Sequence, residues 1–203
     1  MNIHRVYESF FRHFRRRRWA MFSARFKVTE HTRIIDIGGV SAQWMRMEPR
    51  PNVTLVNITP ESNCPLPQVI ADGRLLPFAD NEFDIAFSNS VIEHVGDTKS
   101  QKAFANEVMR VAQHFWVQTP NRWFPVEPHF ITPFIHWLPK ALRHRVVRYS
   151  IWGILTKPSP EYCRMIVDEI KLLGPKELTS LFPGATLIRE RFAGLTKSLI
   201  VTR

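Results

Sequence analysis

The chain has 203 residues, 44% of them apolar and 23% charged, which suits one globular domain with its own core. Its formal net charge is +10, which reads either as a solvated basic face or as a sign of a polyanionic neighbour, nucleic acid or an anionic membrane surface. Only Cys64 and Cys163 are present, without CxxC spacing, which argues against a disulfide scaffold and a zinc site; no apolar run reaches the roughly 20 residues that span a bilayer.

Residues 1–28 predict a helix. Ile3, Tyr7, Phe10, Phe11 and Phe14 recur at helical spacing, and Trp19, Phe22 and Phe26 continue the stripe more loosely. With Arg12 and Arg15 to Arg18 beside it, the segment reads as a basic, aromatic N-terminal extension. Such a stripe either packs on the domain or lies in a membrane interface. No apolar segment follows the arginines, so no secretory signal is expected. The expected location is the cytoplasm, with peripheral attachment at the inner membrane face as the amphipathic alternative.

Residues 29–203 read as the main domain. Arg33 to Ile37 is a β-branched run of the kind buried on both faces of a parallel sheet. Asp36 stands near its carboxyl end. Gly38-Gly39 then allow positive φ and close approach to the backbone, and Ser41 to Met45 open a helix. Strand, glycine turn and helix form a recurring cradle for nucleotide-like ligands. Alone this is a common connection, and Val40 and Ala42 stand where a dinucleotide fingerprint would carry a further glycine.

The following segments repeat the pattern. Val53 to Asn57, Val69 to Ala71, Phe83 to Phe87 and Phe115 to Thr119 read as strands, and Gln101 to Val111 as a helix. Asp36/Gly38, Asn57, Asp72 and Asn89 place polar or glycine residues at successive strand ends. In open α/β sheets ligands bind outside that edge. From about 120 to 160 the pattern changes. Trp123, Phe124, Phe130, Phe134, Trp137 and Trp152 mix with prolines and with Lys140, Arg143, Arg145 and Arg148, as in a lid or substrate-facing insertion. Lys176 to Phe182 predicts a helix, and Ala185 to Phe192 with Thr196 to Thr202 two closing strands. The whole predicts a doubly wound α/β sheet.

At residues 30–120 the chain resembles the class I S-adenosylmethionine-dependent methyltransferases, above all the small-molecule type of the ubiquinone and menaquinone pathways. Ile34-Ile35-Asp36-Ile37-Gly38-Gly39 is similar to the family's first motif and Val53 to Asn57 to its second. Ala71-Asp72-Gly73 with Leu76-Pro77-Phe78 looks like the adenine-side motif. Phe83 to Val95, with Ser88-Asn89-Ser90 and Glu93-His94, is the most specific match. Leu172 to Leu178 and the ending through Leu199 look like the closing helix and hairpin. The resemblance implies a Rossmann-like, mostly parallel seven-stranded sheet, helices on both faces and an antiparallel C-terminal hairpin.

It also implies S-adenosyl-L-methionine as cofactor. Asp36, Gly38 and Gly39 would pass the methionine part, Asn57 the ribose, Asp72 and Gly73 the adenine, and Asn89 and Ser90 the sulfonium, with Ile58 also among the cofactor-binding residues. Asn57 stands where the family usually has an acid; it can hydrogen-bond a ribose without charge assistance. Methyl transfer is an in-line displacement, so the protein mainly orients reactants and excludes water. If the acceptor must lose a proton, His94 and His129 are the candidate general bases, with Glu127 and Tyr162 behind them. No metal ligand set is expected. The implied function is methyl transfer to a small-molecule or lipid-linked acceptor. The alternative is a degenerate methyltransferase fold acting as a binding or scaffold protein, for which Val40, Ala42 and Asn57 speak. Nucleic acid is the weaker partner, because no Asn-Pro-Pro-Tyr type of signature follows the fourth strand.

Overall fold

A computed structural model describes residues 3–203, with side chains from Phe14 onward except Arg15. The chain runs α1 (Ile3–Phe26), β1 (Arg33–Ile37), α2 (Ser41–Trp44), β2 (Asn52–Asn57), β3 (Gln68–Ile70), β4 (Phe83–Asn89), α3 (Thr98–Val111) and β5 (Ala112–Pro120). The insertion follows with β6 (Val126–Glu127), β7 (Thr132–Pro133), α4 (Lys140–Val146), α5 (Ile151–Thr156) and α6 (Pro160–Glu169). α7 (Pro175–Leu181), β8 (Thr186–Phe192) and β9 (Leu195–Thr202) close the fold.

The seven-stranded sheet has the order β3-β2-β1-β4-β5-β9-β8. β1 to β5 pair in parallel, while β9 lies antiparallel between β5 and β8. The expected doubly wound sheet with its antiparallel hairpin is therefore present. Its crossovers are abbreviated: α2 has four residues, and loops join β2 to β3 and β3 to β4. Pro60, Pro65, Pro67 and Pro77 in those loops lack the amide hydrogens that a helix interior needs.

Two apolar layers enclose the sheet, and strand alternation assigns each side chain to one of them. On one face Phe104, Val108 and Val111 of α3 and Leu178 and Leu181 of α7 meet Ile35, Ile37, Ala86, Phe115 and Val117. On the other, Phe22 meets Trp44, Ile34, Leu55, Ile85, Phe87 and Trp116. Trp19 stacks on Phe87 with ring centroids 5.3 Å apart. The second half of α1 thus covers the face that the short crossovers leave bare. The interfacial stripe expected over Ile3, Tyr7, Phe10 and Phe11, with Arg12 and Arg15, lies outside the described side chains. Phe14, Trp19, Phe22 and Arg18 turn toward the domain instead, with Phe22 fully buried.

The insertion carries a small core of its own, from Phe130, Ile135 and Val147 to Cys163, Val167 and Ile170. That core recruits α6, so the packed unit runs past residue 160. Ser159 caps α6, accepting from the Tyr162 amide, and Pro160 occupies the first turn.

Candidate active site

The carboxyl ends of β1, β2, β3 and β4 lie along one sheet edge, as strand order requires, and the predicted cofactor residues cluster there. Asp36 is fully buried on the α1 face of β1. Gln43 Nε2 and Trp44 Nε1 both donate to its Oδ2, at 2.7 and 2.6 Å. Its Oδ1 is buried without a partner. Burial pushes the Asp36 carboxyl up to about 7, against the two hydrogen bonds that favour the charged form. A Cβ on Gly39 would stand 1.6 Å from Asp36 Oδ2, so this position requires glycine. Gly38 has φ of 79° and packs against Val91. Asp36 therefore holds the turn together.

Asn57 Nδ2 donates to Gly39 O at 3.0 Å. It ties β2 to the glycine turn, and its Oδ1 accepts nothing from the described residues. Ile58 beside it is exposed, as are Val40 and Leu75 on neighbouring loops. Asp72 differs from expectation. Both of its oxygens accept from the Arg74 guanidinium, which holds its carboxyl below the usual range. An ionised carboxylate offers about four lone-pair sites, so an adenine amine can still share it. Gly73 is closed in by Ile37 and Phe104, where a Cβ would come within 2.9 Å.

At the end of β4 the structure adds a residue that sequence reading did not single out. Arg18 reaches from α1 and donates to Asn89 Oδ1 and, at 2.7 Å, to Gln118 Oε1. Its Nε lies 3.2 Å from Glu190 Oε1. Ser90, at φ 57°, donates from Oγ to Gln118 Oε1 at 3.0 Å. Ser198 Oγ donates to Glu190, and Lys197 approaches it at 3.9 Å. Nothing in the sequence sets Arg18 apart from its neighbours Arg16 and Arg17, whose side chains are exposed.

The opposite face of the same edge holds the candidate bases. His94 and His129 stand 35 residues apart in sequence, yet their Nε2 atoms lie 3.0 Å from each other. His94 Nδ1 is 2.8 Å from Glu169 Oε1, and His129 Nδ1 is 2.6 Å from Glu127 Oε1. Glu93 is fully buried beside them, and its Oε2 accepts from Thr119 Oγ1 at 2.9 Å. Burial raises the Glu93 carboxyl, opposed by the two histidines. For His129 burial disfavours the imidazolium, but Glu127, Glu93 and Glu169 outweigh it and raise the ring. Tyr162 is not brought here: it is half exposed on α6, with Trp152 as its ring neighbour at 6.1 Å. The sequence reading placed Glu93 within its most specific match without giving it a role, and it missed Glu169. A lone acid after Val91-Ile92 is a faint signal for the first, and there is none for the second. A cavity of ≈ 430 Å³ opens beside the cluster, walled by Glu127, Phe130, His136, Arg143 and Lys171. None of the predicted cofactor residues lines it.

This sheet order, with an acid and a glycine turn at β1 and an antiparallel β9, defines the class I methyltransferase fold. Residues 36–114 match the family model described as a methyltransferase domain. That methyltransferase-domain match thus falls within a sheet that has the class I S-adenosylmethionine-dependent methyltransferase fold. Two uncharacterised proteins of Mycobacterium tuberculosis, one from each of two strains, are 35% identical over 75 residues, which is 37% of this chain and 25% of theirs. The chain thus matches about a quarter of the length of these curated relatives. A crystal structure of a Pyrococcus horikoshii protein superposes with TM-score 0.61 at 14% identity, covering 95% of this chain and 90% of that one. The 1,6-didemethyltoxoflavin-N1-methyltransferase of Burkholderia thailandensis, crystallised with its substrate and S-adenosylhomocysteine, gives 0.56 at 13% identity over 90% of this chain and 74% of that one. At such identity these likenesses show the fold.

Proposed function

We propose that this protein transfers the methyl group of S-adenosylmethionine to a small-molecule or lipid-linked acceptor. The observation that carries the reading is the carboxyl edge of the sheet. There a buried Asp36 with an unpartnered oxygen, the Gly38-Gly39 turn, the open Oδ1 of Asn57 and the exposed Ile58 and Leu75 stand together. These groups fit the cofactor's parts. Asp36 holds the turn against the methionine end. Asn57 Oδ1 accepts from a ribose hydroxyl, Ile58 and Leu75 flank the flat adenine, and Asp72 accepts from its amine. When bound, the cofactor supplies an already activated methyl group.

The chain's own work is orientation and proton removal. Arg18, Gln118 and Ser90 fix Asn89 at the end of β4, where methyl transfer takes place. His94 and His129 take a proton from an acceptor that must lose one, with Glu169 and Glu127 steadying the rings. The cavity behind Glu127 has the size of a small-molecule pocket.

The place of action belongs to the same proposal. Phe134, Trp137, Leu142, Tyr149, Ile154 and Met165 are exposed on the insertion, among Arg145, Arg148 and Arg164. Apolar side chains beside cations suit an anionic membrane surface, from which a lipid-soluble acceptor would enter. No helix among the described residues is long and apolar enough to cross a membrane.

Calorimetry with S-adenosylmethionine and S-adenosylhomocysteine tests the reading. Both are expected to bind at one site. Asn57→Leu should weaken them by about 1–3 kcal/mol through the lost acceptor, whereas Asn57→Asp should preserve or strengthen them. No heat and no thermal shift from either ligand would favour the scaffold alternative.

A further inference from the structure

The contacts around His94 and His129 conflict unless a cation sits between the rings. Carboxylates accept, so the 2.8 Å contact with Glu169 and the 2.6 Å contact with Glu127 place a hydrogen on each Nδ1. A neutral ring then carries its lone pair on Nε2. The two Nε2 atoms face each other at 3.0 Å, where two lone pairs repel. Either a shared proton or a metal ion resolves this. Glu93 bears on the choice. It is fully buried, and its Oε1 has no hydrogen-bond partner. One carboxylate oxygen of Glu93 and one nitrogen each of His94 and His129 all lie within 4.8 Å of one another. A shared proton would satisfy the rings and leave Glu93 Oε1 unpaired.

We propose that Glu93, His94 and His129 bind a divalent first-row transition ion, with Glu169 and Glu127 orienting the two rings. Metal–nitrogen bonds of about 2.0–2.1 Å, at angles between octahedral and tetrahedral, put two adjacent nitrogens about 2.9–3.4 Å apart. The observed separation falls inside that span. A ligating histidine commonly gives its other ring N–H to a carboxylate, and here both do. Two imidazoles and one carboxylate select zinc, manganese or iron over magnesium or calcium, which prefer oxygen donors. Three protein ligands leave a position open for water or an acceptor oxygen. A hydroxyl bound there loses its proton more readily, so the ion would do the work otherwise left to a free histidine. That last clause rests on the proposed methyl transfer; the metal site itself does not.

The test uses the full chain, stripped with a chelator and titrated calorimetrically with Zn²⁺ and separately with Mg²⁺. One equivalent of Zn²⁺ is expected, with Mg²⁺ much weaker, and Co²⁺ should give visible bands of a nitrogen and oxygen site. His94→Gln and His129→Gln should each weaken Zn²⁺ at least tenfold. Glu127→Gln and Glu169→Gln should weaken it about 10–100-fold. Circular dichroism checks the fold of each variant. Should a variant fail to fold, imidazole nitrogen resonances of the parent serve instead, because Zn²⁺ should move the Nε2 signals of two histidines. No Zn²⁺ heat, Mg²⁺ bound as tightly as Zn²⁺, Zn²⁺ binding unchanged in both folded histidine variants, or no shift of Nε2 signals overturns the proposal. S-adenosylhomocysteine is titrated into stripped and loaded protein alike. Its failure with Zn²⁺ bound would strike the methyltransferase reading and leave the metal site standing.

Discussion

Asp36 concentrates the chemistry of the glycine turn in one carboxyl. It ionises near 4 in the unfolded chain and near 7 when buried, so the folded protein holds the extra proton between those values. Its contribution is therefore most favourable at low pH and declines as pH rises toward 7, by on the order of 4 kcal/mol at most. Asp36→Asn keeps an acceptor for Trp44 and Gln43 and abolishes the titration. The difference in melting temperature between pH 5 and pH 8 should be smaller in this variant than in the parent. An equal difference would mean that the carboxyl does not titrate as a buried group. Gly39 depends on the same carboxylate. Gly39→Ala forces a Cβ into Asp36 Oδ2 and should cost about 1–3 kcal/mol in urea denaturation, together with affinity for S-adenosylhomocysteine.

At the scale of elements, α1 replaces the crossover helices that the proline-rich loops cannot form. Phe22 carries much of that contact, edge-on to Phe87 and Trp116 at centroid distances of 5.2 and 5.8 Å. Phe22→Ala should destabilise the domain by about 3–5 kcal/mol by chemical denaturation. A loss under about 1 kcal/mol would show that α1 does not hold that face. Arg18 is the polar counterpart on the same helix. Its loss removes the guanidinium from Glu190, and Arg18→Met should cost about 3 kcal/mol, the lower end for breaking a buried pair, because Lys197 and Ser198 still serve that carboxylate. The helix thus does two things at once: it closes the apolar layer and sets Asn89 at the edge of the sheet.

On the scale of the molecule, β5 separates two polar centres. Gln118 faces the Arg18 cluster and the next residue, Thr119, faces Glu93, because successive side chains of a strand point to opposite faces. The insertion supplies His129 and Glu127 to the second centre and presents its exposed apolar side outward. If that outer side meets a membrane, the protein should float with anionic vesicles at low salt and less so at high salt. Ile154→Ser with Met165→Ser should reduce flotation without changing the melting temperature much, since both side chains are exposed. A protein that stays in the soluble fraction with anionic vesicles would leave a soluble acceptor.

The sequence by itself determined the sheet and its functional edge. β-branched runs broken by Gly38-Gly39, Asn57, Asp72 and Asn89 are local signals, since strand propensity and positive-φ turns depend on neighbouring residues. The seven strands lie where those runs predict them, and their polar ends meet along one edge because parallel pairing aligns them. What only the tertiary structure decided involves residues far apart in the chain. Periodicity leaves open whether Phe22 and Arg18 face lipid or sheet; the bare face of the β1–β2–β4 layer settles it by burying them. Asp72 has the adenine-side position but also a neighbouring Arg74 that takes both its oxygens, a contact set by side-chain reach rather than by motif. The meeting of His94 with His129, and of each with its own glutamate, joins three segments of chain, around residues 94, 127–129 and 169. No spacing in the sequence encodes it, because the distance between them is fixed by where the insertion's small core docks on the sheet.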